Sequence, residues 1–467
     1  MRATSSAADV LREGLRAIEA EAGRSDTFPP AVEEAAARSA ASSEWRARRS
    51  DQRAVAFRTL DPATSTDLDQ AFAIAREGDD LVLSYAIADL GAFVPRGSIL
   101  EQEAWRRGTT VYLPDSRIPQ YPTALSEGAA SLLPDSDRPA VVLTVLIDPT
   151  GEAVLRSAER AIIRSVEKRA YESTSVSDIE FLGELATRTS SADTRRGEFT
   201  VDAPEQEIVD DPEAPSGITL RFRPRLASEA ANAAMSLAAN LAVAKRFLAD
   251  GIGLFRDLDA PNDHQYSALR RLGAGLGITW LRTETLGDVT RRLRAEDPRH
   301  AAFASACRRA GGGATYRVHD GTGKAPWHAA MAAPYAHATA PLRRLADRYC
   351  LDLAVELCGG SHPSDAERAT LAALPDIMDR AEATASRAER ACLDLAESVL
   401  LSTRVGEEFD AVVVETAHDG ARISIAEPAV SAKMRLDNAR PGDRVRVRLV
   451  SADPPQRRVT FEPATIT

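Results

Sequence analysis

Three carboxylates fall within nine residues at Asp61, Asp67 and Asp69, in the stretch Asp61-Pro-Ala-Thr-Ser-Thr-Asp67-Leu-Asp69-Gln70. Proline, serine and threonine between them oppose regular structure, so the stretch reads as a loop that gathers negative charge at one place. Extended backbone around Asp67 and Asp69 would point both side chains the same way, which suits shared ligation of one cation. Like charges this close repel unless a cation lies between them, and hard oxygen donors select Mg2+, with Mn2+ as the alternative, over zinc. A calcium loop of EF-hand type counted from Asp61 needs glycine at its sixth position and glutamate at its twelfth; Thr66 and Phe72 stand there, and that reading fails. A solvated turn rich in aspartate remains the competing reading of the loop taken by itself.

The flanks say how such a loop would be held. Ala54 to Leu60 has the composition of a short strand, and Ala71 to Ile74, a polar turn at 77–80 and Leu81 to Ile87 read as a hairpin. The acidic loop is therefore braced by a sheet on both sides. Further along, Pro341 suits the first position of a helix running to about Leu357, which puts Arg343 and Arg344 in its first turn. Positive charge there opposes the helix dipole by roughly a few tenths of a kcal/mol, so either an anion lies nearby or Arg343 pairs with Asp347 one turn on. Ala227 to Ala249 predicts a long helix rich in small residues, Ala233 and Ala234 among them, that lets a neighbouring backbone or substrate approach closely. Shorter helices are expected at 264–276, 286–295 and 300–310. Ser364-Asp-Ala-Glu367 is a capping box, and Pro375 opens a long helix to about Thr403 that carries Glu389. Residues 173–225 read as polar and irregular, with β-like runs at 199–201 and 218–222. Gly311-Gly-Gly313 has no lysine-serine in phosphate-loop spacing and is not a nucleotide cradle.

Composition narrows the class. At 467 residues the chain exceeds what one hydrophobic core supports, so two or three domains are expected. No apolar run approaches the roughly 18 residues needed to cross a bilayer, and the N-terminus lacks a secretory apolar segment, so a cytoplasmic protein without membrane attachment is the expectation. Cys307, Cys350, Cys358 and Cys392 lack C-x-x-C spacing and read as buried thiols. A formal net charge of -11 argues, on its face, against a nucleic-acid partner, but net charge does not report how charge is distributed. Lysine occurs only at 168, 245, 324 and 433, so nearly all of the 58 basic residues are arginine, suited to forked contacts with phosphate.

The order of motifs carries more than any one of them. Asp61 to Gln70, Ile87-Ala-Asp89-Leu-Gly-Ala-Phe-Val94, Arg107 to Pro114, Ile118-Pro, Leu125-Ser126, Ser131-Leu132 and Arg138 follow one another in the pattern of the ribonuclease II (RNB) family of 3′-to-5′ exoribonucleases. Tyr335-Ala-His337-Ala-Thr339-Ala-Pro341-Leu-Arg343-Arg344-Leu-Ala-Asp347 resembles that family's histidine, threonine, proline and arginine signature, and Arg387-Ala-Glu389-Arg390 its late glutamate motif. The resemblance implies a metal site at Asp61, Asp67, Asp69 and Gln70. It implies Asp69, Arg343 and Glu389 as catalytic residues, with Arg343 on the phosphate. Tyr112 would stack on the base at the RNA 3′ end and Tyr171 lie near the RNA path, with Arg344 as a further RNA contact. Taken without the resemblance, a tyrosine between valine and leucine such as Tyr112 reads as a core residue, and Glu389 as a solvated charge.

Two departures from the family pattern stand out. Gln70 occupies the place of a fourth aspartate; its carbonyl can still meet a metal, but the site has one negative charge fewer. The acid that family members often carry on the alanine-rich helix is missing, since Ala233 and Ala234 occupy its place.

The expected architecture is α+β: a helical region over 1–50 with no room for the cold-shock domains of many relatives, an RNB catalytic domain over 51–402 (a mixed sheet surrounded by helices), and a small barrel over 403–467. Five alternating strands in the last segment fit an OB-type barrel and resemble an S1 RNA-binding domain, with Arg444, Arg446 and Arg448 on one face as a track for phosphates. The chain as a whole reads as a monomeric, processive, Mg2+-dependent exoribonuclease that converts single-stranded RNA to nucleoside 5′-monophosphates. The alternative is an RNA-binding regulator whose centre is weakened by Gln70. A metal phosphoesterase for small molecules is disfavoured by the S1-like end.

Overall fold

The computed structural model describes residues 7–464 apart from 24, 115, 200–204, 212–217, 224, 295–296, 418–419 and 437. Helix α1 (Ala7–Glu21) turns Leu15 and Ile18 inward, and α2 (Pro30–Ala40), started by proline in its first turn, buries Val32 and Ala36. Strand β1 (Ser50–Asp51) leads to β2 (Phe57–Asp61), β3 (Gln70–Glu77) and β4 (Asp80–Ala88), the last two forming the expected hairpin with Gln70 opposite Ile87. Helix α3 (Ile99–Arg107) stops at Gly108, whose φ of 69° the missing side chain permits. A two-residue hairpin follows, β5 (Val111–Tyr112) with β6 (Arg117–Ile118).

Long strands β7 (Asp137–Ile147) and β8 (Ala153–Ala170) complete the main sheet, in the order β1-β8-β2-β3-β4-β7 with β7 returning to β8. The sheet thus closes on itself. Strand β8 makes closure possible because its first part runs antiparallel to β7 while its last six residues run parallel to β2. Phe57, Leu60, Phe72, Leu83, Tyr85, Ile87 and Leu143 fill a core with no measurable exposure above 2%.

Next come α4 (Leu182–Arg196), the hairpin β9 (Glu205–Asp210) and β10 (Ile218–Arg223), and α5 (Ala227–Ala249), which packs on β8, β7 and β2. Helix α4 corrects the reading of 173–225 as irregular: only Leu182, Leu185 and Ala192 among its apolar residues face inward, too sparse a stripe to stand out in sequence. The β-like run at 199–201 lies largely outside the described residues. Strand β11 (Gly253–Asp257), α6 (Asp263–Gly275), α7 (Leu286–Thr290), α8 (Pro298–Ala310) and β12 (Thr315–His319), paired with β11, precede α9 (Leu345–Cys358) and α10 (Asp365–Leu401).

Two proline readings are corrected. Helix α9 begins at Leu345 with Arg344 as its N-cap, so Pro341 lies in a turn ahead of it and Arg343 is not helical. Helix α10 starts from the Ser364 capping box and runs through Pro375 without a break.

Strands β13 (Glu408–Ala417), β14 (Gly420–Ile425), β15 (Val430–Met434), β16 (Arg444–Asp453) and β17 (Arg458–Pro463) form the terminal barrel in the order β15-β14-β13-β16-β17, around Phe409, Val413, Ile423, Val447 and Leu449. It rests on the α6–α8 layer through Val414, and Gly275 meets Gly442 so closely that a Cβ on Gly275 would lie 2.5 Å from the Gly442 Cα. Helix α1 lies along α10, Leu15 and Ile18 against Ala388, Cys392 and Leu395, and Glu21 reaches Arg457 of the barrel at 2.6 Å. Among the described residues no helix is long and apolar enough to cross a membrane.

Candidate active site

The acidic loop is tied down at both ends and in the middle. Asp61 ends β2, where its carbonyl receives the Tyr171 N–H at 3.0 Å, and Gln70 opens β3. Between them Lys168 donates to the Ala63 and Ser65 carbonyls at 2.8 and 2.5 Å. Ser131 accepts from Leu68 N–H at 2.9 Å and donates to the Thr66 carbonyl at 2.7 Å. Leu68 is wholly buried, which anchors the loop and leaves the carboxylates on the opposite side.

That side opens into a cavity of about 1920 Å³ whose wall includes Asp61, Asp67, Asp69, Gln70, Tyr112, Tyr171 and Arg343. Asp69 is buried; its Oδ1 accepts from Leu342 N–H at 2.8 Å and its Oδ2 from Arg343 Nε at 3.2 Å. The turn that supplies both donors is itself fixed by Asp347, whose Oδ1 accepts from Thr339 N–H at 2.9 Å, Ala340 N–H at 2.8 Å and Arg344 at 2.8 Å. Asn240 of α5 adds an acceptor for Ala338 N–H at 2.9 Å. Of the two pairings open to Arg343 in the sequence, the one with Asp347 is made by Arg344 instead, and Arg343 goes to Asp69. Arg344 is therefore a structural partner of Asp347 and does not line the cavity.

Burial acts on the acids directly. It pushes Asp69 up to about 7, opposed by the Arg343 charge and the Leu342 hydrogen bond and assisted by the charges of Asp67 and Asp347. Asp61 is pushed up to about 6 by burial, with Arg343 and Lys168 opposing and Asp67 assisting, and its Oδ2 is buried with no hydrogen-bond partner. An orphaned buried carboxylate oxygen within reach of the Asp67 charge is chemically suited to a hard divalent cation. As they stand, though, among the described residues no three Asp, Glu, His or Cys side chains close around one point. Asp67 is engaged by other side chains: its Oδ1 lies 2.8 Å from Arg117 Nη1 and its Oδ2 accepts from Tyr112 at 3.4 Å. Gln70 donates its amide to the Thr339 carbonyl, which leaves its carbonyl oxygen as the group it has to offer.

Tyr112 and Arg117 share the β5–β6 hairpin, whose Val111 and Ile118 pack on α1 and α10. With those two turned in, Tyr112 is turned out, and at 51% exposure it is a ring facing the cavity and not the core residue that its neighbours suggest. Tyr171 follows β8, and its hydroxyl accepts from Asn232 of α5 at 2.7 Å. The α5 wall shows Ala230, Ala233, Ala234 and Leu237 at helical spacing, with Glu229, Asn232 and Ser236 as its polar members. The same lining carries Arg223, Arg225, Arg291 and Arg308 together with Asp193, Glu198 and Glu229, and Arg223 pairs with Glu229 at 2.7 Å. A cavity that carries both the acidic loop and several arginines is compatible with a polyanion whose terminus is processed among the acids.

Glu389 is not brought to this cavity. Ala388 and Cys392 take the inward positions of α10, so Glu389 is exposed. On the barrel, Arg446 pairs with Asp410 at 2.9 Å and Arg448 with Glu408 at 3.0 Å across the β13–β16 ladder, while Arg444 is exposed beside them; none of the three lines the cavity. Sequence reasoning missed Arg117, Thr339, Asn240 and Asp347 as supports of the site. Only Asp347 gave a signal, through its spacing from the two arginines.

Comparison with known proteins bears on the family and the fold. A model of the RNB domain matches residues 49–355, and one of the RNase II-type exonuclease C-terminal S1 domain matches 407–464. Ribonuclease R of Aquifex aeolicus is 26% identical over 89% of this chain and 65% of its own length. The structure of Mycoplasma genitalium RNase R in complex with ribose-methylated single-stranded RNA superposes with a TM-score of 0.84 at 23% identity, covering 98% of this chain and 78% of that one. Yeast Ssd1, a pseudonuclease, superposes with a TM-score of 0.67 at 15% identity over 88% of this chain and 54% of its own. The chain spans 44–65% of the length of the first curated relatives it matches.

Proposed function

The chain belongs to the RNB family, with an RNase II-type S1 domain at its C-terminal end, and from that premise we propose that it is a processive 3′-to-5′ exoribonuclease. It hydrolyses single-stranded RNA to nucleoside 5′-monophosphates, as a monomer in the cytoplasm. The observation that carries this reading is that Asp61, Asp67, Asp69, Arg343 and Tyr112 line one cavity, with Asp69 held by Arg343 and Asp67 by Tyr112. A divalent cation bound there, Mg2+ or Mn2+, would polarise the scissile phosphate and make its bound water nucleophilic at neutral pH. Asp61, Asp67 and Asp69 are the residues to hold it, with the Gln70 carbonyl in place of a fourth acid.

The remaining steps belong to the chain's own groups. Arg343, half-exposed and already aligned by Asp69, meets the charge that develops on the phosphate, and its alignment before substrate arrives is what makes it effective. Tyr112 stacks on the terminal base, and Tyr171, next to Asp61, flanks the strand. Contacts to the 2′-hydroxyl distinguish RNA from DNA. Arg223, Arg225, Arg291 and Arg308 of the lining, together with Arg444, Arg446 and Arg448 on the barrel, hold the upstream backbone; surface ion pairs of the kind that Arg446 and Arg448 make are weak enough for phosphate to replace. Glu389 is assigned no contact with the reacting atoms.

A second reading has its own support. Gln70 carries no charge and its amide is held by Thr339, and a related fold is a pseudonuclease, so an RNA-binding regulator with a weakened centre is the competing function. Incubation of the protein with 5′-labelled single-stranded RNA separates the two. The nuclease yields a ladder that shortens from the 3′ end with Mg2+ and not with chelator, and releases 5′-mononucleotides; the regulator yields a retarded complex and intact RNA.

A further inference from the structure

Arg117 is the one cation that touches a carboxylate of the acidic loop from outside the turn that carries Arg343, among the described residues. Its Nη1 lies 2.8 Å from Asp67 Oδ1. Its Nη2 lies 2.5 Å from Glu127 Oε1 and donates to Thr66 Oγ1 at 3.1 Å. Thr66 in turn donates to Glu127 Oε2 at 2.7 Å. The guanidinium therefore bridges two carboxylates of different standing: Asp67 lines the cavity, and Glu127 does not. If Asp67 turns toward the cavity, Arg117 keeps Glu127 and Thr66, so the move does not strand a charge. A planar guanidinium with several donors can share itself in this way where an ammonium could not.

We propose that Arg117 is a built-in counter-cation for Asp67, which a divalent ion must displace, and that Glu127 with Thr66 is the berth that receives it. The proposal rests on the reading of Asp61, Asp67 and Asp69 as cation ligands and goes beyond it, because it makes metal occupancy a competition set by two residues that are not ligands themselves. Its physical basis is charge exchange. Asp67 is neutralised by Arg117 in one state and by the ion in the other, so whatever holds Arg117 on Asp67 is subtracted from the binding of the ion. With Gln70 already lowering the negative charge of the site, Mn2+ affinity becomes sensitive to this balance.

The two berths give predictions of opposite sign. Free Mn2+ is followed by its EPR signal during titration of the full-length protein, without RNA. Arg117→Gln frees Asp67 and should tighten Mn2+ binding by about three- to ten-fold, the range of a partly exposed to half-buried ion pair. Glu127→Gln removes the alternative berth, concentrates Arg117 on Asp67 and should weaken Mn2+ binding by about two- to five-fold. In the Arg117→Gln background, Glu127→Gln should change nothing. Unchanged affinity in Arg117→Gln, or weaker binding, overturns the proposal while leaving the metal site standing. An equal effect of Glu127→Gln with and without Arg117 also overturns it. If neither the wild type nor Arg117→Gln takes up Mn2+, the metal site itself falls and the proposal with it. Both residues are partly exposed, and melting curves of the variants confirm that the comparison is between folded proteins.

Discussion

Asp69 and Arg343 stand 274 positions apart in the chain, and the Arg343 Nε lies 3.2 Å from the Asp69 Oδ2. One contact thus joins the end of the acidic loop, held by the closed sheet, to the turn ahead of α9 that the second half of the chain supplies. Leu342 N–H repeats the link at 2.8 Å to the other carboxylate oxygen. The acid is oriented by backbone and the arginine is oriented by the acid, so each is placed before any substrate arrives.

Removing the guanidinium should therefore act on the chemical step. Arg343→Ala is expected to lower the single-turnover rate of RNA shortening by roughly 10²–10³-fold, the usual size of one lost preorganised donor, while RNA affinity changes by a few-fold at most. Rapid-quench kinetics at saturating protein, beside a filter-binding isotherm, check this. An equal loss in both would make Arg343 a binding residue only.

The buried acids predict an unusual pH dependence. Asp61 and Asp69 titrate near 6 and 7 in the folded chain against 3.8 when unfolded, so between about pH 4 and 7 the folded state binds more protons than the unfolded state. Metal-free stability is then lost as pH rises through that window, by up to about 1.4 kcal/mol per pH unit for each group. Asp69→Asn keeps the acceptor for Leu342 and removes the charge. The melting temperature of the wild type minus that of Asp69→Asn, measured in chelator, should fall from pH 5 to pH 8, and Mg2+ should raise the wild-type melting temperature more at pH 8 than at pH 5. A difference that rises with pH would mean that Asp69 is stabilised, not burdened, by its charge.

Asp347 holds the turn. Its Oδ1 accepts from two backbone N–H groups and from Arg344, so Asp347→Ala leaves a mostly buried guanidinium without its partner and should cost about 3 kcal/mol or more. Chemical denaturation measures this directly. Arg344→Met, which removes the charge that Asp347 neutralises but keeps the volume, should cost less than Asp347→Ala.

Tyr112 presents a half-exposed ring above Asp67. Loss of one stacked base is worth roughly 1–3 kcal/mol, so Tyr112→Ala should lengthen the shortest product that remains at the end of digestion, since short RNAs depend most on that one contact. High-resolution gels of exhaustive digests show the end-product length. Unchanged end products with a slower rate would place the ring elsewhere on the path.

The readable part of the site was the part that is local. Asp61, Asp67 and Asp69 lie within nine residues and announce themselves, and the β3–β4 hairpin follows from alternation. The meeting of Asp69 with Arg343 has no local signature; only the order of motifs pointed to it. Proline misled twice. At Pro341 the preference for a helix start was overridden by Asp347, which takes the N–H groups of Thr339 and Ala340 and ties a turn there. At Pro375 the capping box at Ser364 starts a helix that carries on through the proline. Glu389 was named from its motif, but Ala388 and Cys392 own the inward face of α10. Arg117 gave no sign because its partner Asp67 lies 50 positions away across a hairpin too short to show periodicity.

The most direct measurement compares wild type with Asp69→Asn on 5′-labelled single-stranded RNA in Mg2+. The account predicts that wild type shortens the RNA stepwise from the 3′ end, and that Asp69→Asn binds it with similar affinity and leaves it intact. Wild-type protein that binds RNA yet never shortens it across a range of Mg2+ and Mn2+ concentrations, or an Asp69→Asn variant that degrades RNA at the wild-type rate, would contradict it.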